Sequence, residues 1–209
     1  MANSRIRILS LLLALGGAGL SPAWLPGTAT LAQSSKTAGV SAEKLKRPGI
    51  PNLGRVSETL YRGGQPEDEG FESLKDLGVQ IVVNFRETEK AEKEERRRVE
   101  ALGMKYVEIP WSGFDHPDNG QVAEFLDVLK QNPKKKVFVH CRRGAERTGV
   151  MVAAYRMVFD GWTPEQALNE MEEFKFRGLF FRHLKKYIRT FPEEIQNDPR
   201  LQAVVRVKK

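Results

Sequence analysis

The stretch Val137-Phe138-Val139-His140-Cys141-Arg142-Arg143-Gly144-Ala145-Glu146-Arg147-Thr148-Gly149 decides how this chain is read. Val137 to Val139 are β-branched or aromatic, and with His140 they read as a short buried strand. A helical pattern follows from Thr148 to about Phe159. A strand that turns through a tight loop into a helix aims successive backbone N–H groups at one point, at the positive end of the helix. Gly144 permits the curvature. The loop residues Arg142, Arg143, Gly144, Ala145 and Glu146 would then wall a cradle fit for a phosphate-sized dianion. Arg147, six residues after the cysteine, can close it with a bidentate guanidinium fork.

The same field acts on Cys141. A thiol at a helix N-terminus beside arginines ionises readily, so a thiolate is expected near neutral pH. In-line attack on a bound phosphoryl group would give a phosphocysteine intermediate. Thr148 is expected to donate its hydroxyl to the sulfur and favour its departure in the second step. His140 is expected to orient the loop by hydrogen bonding rather than to act as a base; the bland alternative is a buried histidine at a strand end. His before the Cys, Gly three after it and Arg-Thr at the end coincide by chance on the order of one time in ten thousand on average composition.

Outward from this loop, strands and helices alternate. Strands are expected at Val56–Tyr61, Gln80–Phe85 and Lys105–Ile109, besides Val137–His140. Helices are expected from Pro66 to Leu77, Thr88 to Leu102, Gln121 to Gln131, after Thr163-Pro164, and from Leu179 to Thr190. Thr163 and Gln166 have the spacing of a capping box. The pattern predicts an α/β fold with a mainly parallel sheet of four to five strands flanked by helices. The charged run Glu89 to Arg98 sets Glu92 before Arg96 and Glu94 before Arg98 at helical i, i+4 spacing, as on a solvated face rather than a nucleic-acid patch.

The chain has 209 residues, a net charge of +7 and one cysteine, so no internal disulfide is available. General basicity favours anionic substrates or surfaces. Arg5 and Arg7 precede an apolar run, Ile8 to Leu20, and Thr30 and Ala32 flank Leu31. That is the pattern of a secretory signal peptide over residues 1–32, which predicts an exported, periplasmic or secreted protein without stable membrane insertion after cleavage. Residues 33–54 read as a linker, 55–195 as the domain and 196–209 as a tail.

The segment His140 to Thr148 resembles the active-site loop of the protein tyrosine phosphatase superfamily, His-Cys, five residues, then Arg-Ser/Thr. LYRGGQP at Leu60–Pro66, followed by GFESLKDLGVQIVVNFRE, resembles the opening of its compact dual-specificity-like members. The resemblance implies a mixed sheet flanked by helices, a two-step cysteine mechanism, and neither metal nor cofactor. It also implies an aspartic general acid on an upstream loop. Pro110–Asn119 is the matching place; Asp115 is preferred over Asp118, which suits an N-cap. Arg142 and Arg143 would line the pocket mouth and tune the substrate, toward a polyanion such as an inositol phosphate unless they merely pair with acids. Arg86 would either add to that charge or pair with Glu87 or Glu89.

The expected partner is a phosphorylated protein or a small phosphorylated metabolite, with no nucleic acid. Competing readings are a catalytically silent phosphate-binding module and a rhodanese-like sulfur transferase. His116 and His183 lack metal-ligand spacing. Trp111, Phe114 and Trp162 read as packing, although Trp111 or Phe114 could wall a ring-shaped substrate, and Phe180-Phe181 reads as core.

Overall fold

The computed structural model describes residues 39–206, apart from residue 88 and the side chains of residues 89–92. The expected signal peptide lies outside the described residues. Among the described residues the strands are β1 (Glu43–Lys44), β2 (Gly54–Arg55), β3 (Leu60–Gly63), β4 (Ile81–Asn84), β5 (Lys105–Glu108) and β6 (Val137–His140). They form one mixed sheet in the order β1-β2-β3-β6-β4-β5. β3, β6, β4 and β5 run parallel, while β1 and β2 add an antiparallel edge.

The helices are α1 (Asp68–Asp76), α2 (Glu89–Ala101), α3 (Asn119–Gln131), α4 (Glu146–Tyr155), α5 (Pro164–Glu173), α6 (Arg182–Asn197) and α7 (Pro199–Val205). α4 continues into a π-helical turn, Arg156–Asp160. The capping box at Thr163 and Gln166 is formed. Three expectations need correction. The sheet has six strands, because residues read as linker supply β1 and the first residue of β2 and bury Ala42, Ile50 and Leu53. The first parallel strand begins at Leu60 rather than Val56, since Val56 and Ser57 both donate to the Leu60 carbonyl in a turn. The stretch read as a tail forms α7, which buries Leu201 and Val204, and α6 runs through Pro192 to Asn197.

Strand alternation sorts the side chains between two cores. Leu60, Ile81, Val83, Val137, Val139 and Cys141 pack with the face that carries α3 to α6. Tyr61, Val82 and Phe138 pack with Phe71 and Leu74 of α1 and Val99 of α2 on the other. Each fully buried Val or Phe is worth about 1.5–3 kcal/mol, enough to hold these short apolar runs between two helical layers. Gly63, His140 and Asn84 pair side by side in the register, so β3, β6 and β4 end level. The loop that follows β6 leaves from that edge.

Candidate active site

Cys141 is the first residue after β6. Alternation sends its side chain to the α4 face, and it is buried. The loop then curls into α4, whose N-terminus carries no side-chain cap. Among the described residues the backbone N–H groups of residues 142 to 148 donate to no protein acceptor; the first to do so is Gly149, to Ala145. An uncapped helix start with a run of free N–H groups beside a cysteine is an anion cradle. Gly144 makes it possible. Its φ is +67°, and a Cβ there would stand 2.3 Å from the Gly63 carbonyl carbon. Ala145 is buried and offers backbone only.

Arg147 leans over the loop, donating from one Nη to the carbonyl oxygens of Phe85 (3.1 Å) and Trp111 (3.2 Å). The remaining guanidinium N–H groups are available to an anion. Cys141, Arg142, Arg143, Arg147, Phe114 and Phe181 line a cleft of about 400 Å³, with Glu87, Gly113, Glu146 and Arg177 completing the wall. Arg143 is tied to Glu146 at 2.9 Å, and Arg177 reaches the same Oε1 at 3.2 Å. Arg142 is exposed and has no ion pair among the described residues. Arg86 has no ion pair with Glu87 and donates instead to Gln65, while the Glu89 side chain lies outside the described residues.

Other expected site residues stand elsewhere. His140 alternates to the opposite face, where it is fully buried with Nε2 2.9 Å from Oε1 of Glu95. It therefore braces the strand end from below and lies off the cleft. Thr148 is also fully buried, but its hydroxyl pairs with no described group, the Cys141 sulfur included. Asp118 caps α3, accepting from Gly120 and Gln121. Asp115 is 76% exposed; its carboxylate accepts from the His116 N–H and does not line the cleft. Trp111 and Trp162 are buried, whereas Phe114 projects at the cleft wall. Of the Phe180-Phe181 pair, Phe181 packs half-buried against the core, whereas Phe180 is exposed, because the pair falls in the turn before α6 rather than within the helix.

Two buried polar clusters that sequence reasoning missed hold the loop. Arg62, fully buried on β3, donates to the Gly144 carbonyl at 3.2 Å and stacks on Phe174 at 4.1 Å. Its other partner, Glu170, lies 3.7 Å away and is itself held by Arg156 (2.7 Å) and the Ala42 N–H (2.8 Å). Burial pushes the Arg62 guanidinium down to about 10, with Glu170 and Cys141 pulling it back up, so it stays protonated at neutral pH. Asn52 donates to the Gly144 carbonyl (3.0 Å) and to that of Phe174 (2.9 Å). On the opposite face, Asn84 donates to Tyr106 Oη (2.8 Å) and to Glu95 (3.3 Å), beneath His140. Arg62 was visible within LYRGGQP, but nothing local announced a buried arginine. Glu95 was hidden inside a helix that is otherwise charged and solvated.

The family model for a DSP-PTPase phosphatase fused to NAD+ kinase matches residues 46–186. This chain belongs to the dual-specificity cysteine phosphatases. It is 32% identical over 176 residues to the dual specificity protein phosphatase TpbA of Pseudomonas aeruginosa PAO1, covering 82% of this chain and 75% of that one. Against TpbA of strain UCBPP-PA14 the match is 34% over 125 residues, 58% of this chain and about half, 53%, of that protein's length. The crystal structure of P. aeruginosa TpbA with a Cys-to-Ser substitution, in complex with pTyr, superposes with a TM-score of 0.66 at 25% identity, over 82% of this chain and 99% of that one. Inositol diphosphatase DSP3 of Arabidopsis thaliana is 29% identical over 135 residues, 63% of this chain and 64% of its own length. The family and the loop agree: the chain is a cysteine-based phosphatase, and the sheet, the buried cysteine and the free N–H array are what that chemistry needs.

Proposed function

We propose that the chain hydrolyses phosphomonoesters of tyrosine or dual-specificity type through a phosphocysteine formed on Cys141. One observation carries the reading: residues 142 to 148 turn unpaired N–H groups around the cysteine at the uncapped start of α4, with Arg147 over them. These donors and the guanidinium would hold three phosphoryl oxygens and stabilise their charge as it spreads in the transition state. Sγ attacks phosphorus while the bond to the leaving oxygen breaks, and Asp115 gives that oxygen its proton. Water then attacks phosphorus, the S–P bond breaks, and the Asp115 carboxylate takes the water proton. Asp115 acts only once its loop swings toward the cleft, since its carboxylate faces solvent here.

The reading takes TpbA, solved with pTyr, as its guide to substrate. A second reading, an inositol polyphosphate, is favoured by the cleft mouth, where Arg142, Arg143 and Arg177 face a single buried counter-charge, Glu146. Export belongs to the same proposal and rests on the N-terminal pattern of Arg5, Arg7 and the apolar run after them; N-terminal sequencing of protein recovered from outside the cytoplasm tests it. For the chemistry, phosphate release from p-nitrophenyl phosphate, a phosphotyrosine peptide and inositol hexakisphosphate is measured in the presence of EDTA. Cys141→Ser should abolish release while keeping phosphate affinity, and Asp115→Asn should lower kcat by about 10²–10⁴-fold. Turnover surviving in Cys141→Ser would refute the mechanism; no turnover in a folded, reduced parent would leave a binding module.

A further inference from the structure

The rim of the catalytic cleft is apolar and basic at once. Phe114, Leu179 and Phe180 are 94%, 89% and 78% exposed. Phe114 lines the cleft with Phe181 and Arg177, and the Arg177 guanidinium lies 5.9 Å from the Phe180 ring and 5.6 Å from that of Phe181. The tips and the cleft mouth therefore share one continuous edge. Leu179 and Phe180 sit in a hydrogen-bonded turn, where the N–H groups of Phe180 and Phe181 both reach the Arg177 carbonyl. The turn holds them outward rather than letting them fold onto the core.

The segment that carries these tips is basic, although Glu87 also stands on the cleft wall. From Lys175 to Arg189 the chain carries Lys175, Arg177, Arg182, Lys185, Lys186 and Arg189 and no acidic residue. Arg177, Lys185 and Arg189 are paired with Glu146, Glu172 and Glu165, while Lys175, Arg182 and Lys186 have no ion pair among the described residues. Single exposed apolar residues are ordinary on a protein surface, but a cluster set among unpaired cations at the mouth of a site marks a docking face. An anionic bilayer satisfies both halves: apolar tips enter the boundary between headgroups and acyl chains, and Lys and Arg take the lipid phosphates. No described helix is long and apolar enough to cross a membrane.

We propose that this rim docks the domain onto an anionic lipid surface with the Cys141 cleft facing the headgroups. Delivery of interfacial phosphate groups to Cys141 rests on the phosphatase reading above; the docking itself does not, and Cys141→Ser should dock as the parent does. The test uses the full chain with vesicles of equal parts phosphatidylglycerol and phosphatidylcholine, beside phosphatidylcholine alone. The chain should sediment with the anionic vesicles only, and less so as salt is raised. The double variant Leu179→Ser/Phe180→Ser should bind at least about tenfold more weakly while hydrolysing p-nitrophenyl phosphate as the parent does. Phe180→Trp reports on the rim independently of the N-terminal segment: the emission it adds to that of the parent should move to the blue on adding anionic vesicles and be quenched by brominated acyl chains. An added emission indifferent to lipid overturns the proposal, even if the chain sediments. So does a blue shift produced only by phosphopeptide, or a dimer that dissociates in the double variant, either of which assigns the rim to another occupant.

Discussion

Replacing Arg62 by Met keeps most of the side chain's volume and removes its charge from beneath the phosphate loop. In the parent the guanidinium is fully buried, donates to the Gly144 carbonyl at 3.2 Å and stands 3.7 Å from Glu170. The Gly144 carbonyl turns away from the ligand side, as does that of Arg142, which accepts from the Gln65 N–H, so that the loop's N–H groups are left free to face a ligand. Losing a charged donor to that carbonyl costs about 1.5–3 kcal/mol. Glu170 is not stranded, because Arg156 at 2.7 Å and the Ala42 N–H at 2.8 Å still hold it, and so the larger cost of an unpaired buried charge is avoided. For a domain of this size the loss amounts to a melting point lower by roughly 5–10 °C. The variant should remain folded at room temperature, where the catalytic effect can be read apart from stability. A cradle misplaced by a fraction of an ångström should lower kcat/KM about 10–100-fold, mostly through kcat. Arg62→Lys keeps the charge but not the bond to Gly144, whose geometry suits the guanidinium, and should recover the lost stability and kcat only in part. If Arg62→Met melts early yet keeps the kcat/KM of the parent, Arg62 is packing alone and the positioning argument fails.

Two further outcomes follow from the polar groups around the site. Glu95 sits below the usual carboxylate range: burial works to raise it, and His140, with Gln65 and Tyr106, more than offsets that. A depressed folded pKa stabilises the protein above the unfolded value of about 4.3 and is lost as pH falls through the folded one. Glu95→Gln should therefore melt earlier than the parent at neutral pH, with the gap closing in acid below about pH 4; a constant gap across pH would mean the charge contributes nothing. Asp118→Ala should cost about 1 kcal/mol through loss of the α3 cap, seen as a small fall in melting temperature, and leave kcat unchanged. A fall in kcat comparable to that of Asp115→Asn would instead make Asp118 the acid.

The loop was legible because its chemistry is local. A strand of Val and Phe, a Gly that alone tolerates φ of +67°, and an Arg-Thr at the head of a helix are all written within thirteen consecutive residues. The capping box at Thr163 and the cap at Asp118 were legible for the same reason. What escaped was decided by distant partners. β1 and β2 are two residues each, too short for any periodicity, and exist because β3 offers them an edge. Glu95 differs from its helical neighbours in facing the sheet, where it meets His140 on the same side. Phe180-Phe181 reads as core by composition, yet the turn that follows α5 sets Phe180 outside and leaves only Phe181 packed against the core. The spacing of Thr148 from Cys141 suggests a bond to the sulfur, but burial of its hydroxyl without a partner depends on how the fold packs around it.

The two buried clusters explain why the catalytic domain begins well before its first long strand. One face of the loop is held through Arg62 and Glu170, and the Ala42 N–H completes the coordination of Glu170. Asn52, on the same N-terminal segment, binds the Gly144 carbonyl that Arg62 also binds. Two donors on one buried carbonyl fix the peptide plane that follows, and that plane carries the Ala145 N–H into the cradle. The other face is held by His140 against Glu95, through a side chain that strand alternation sends away from the substrate. A cysteine loop that must present a row of unpaired N–H groups cannot stabilise itself by pairing them. Its order has to come from carbonyls and side chains turned the other way, and here it comes from a segment whose composition alone resembles a linker.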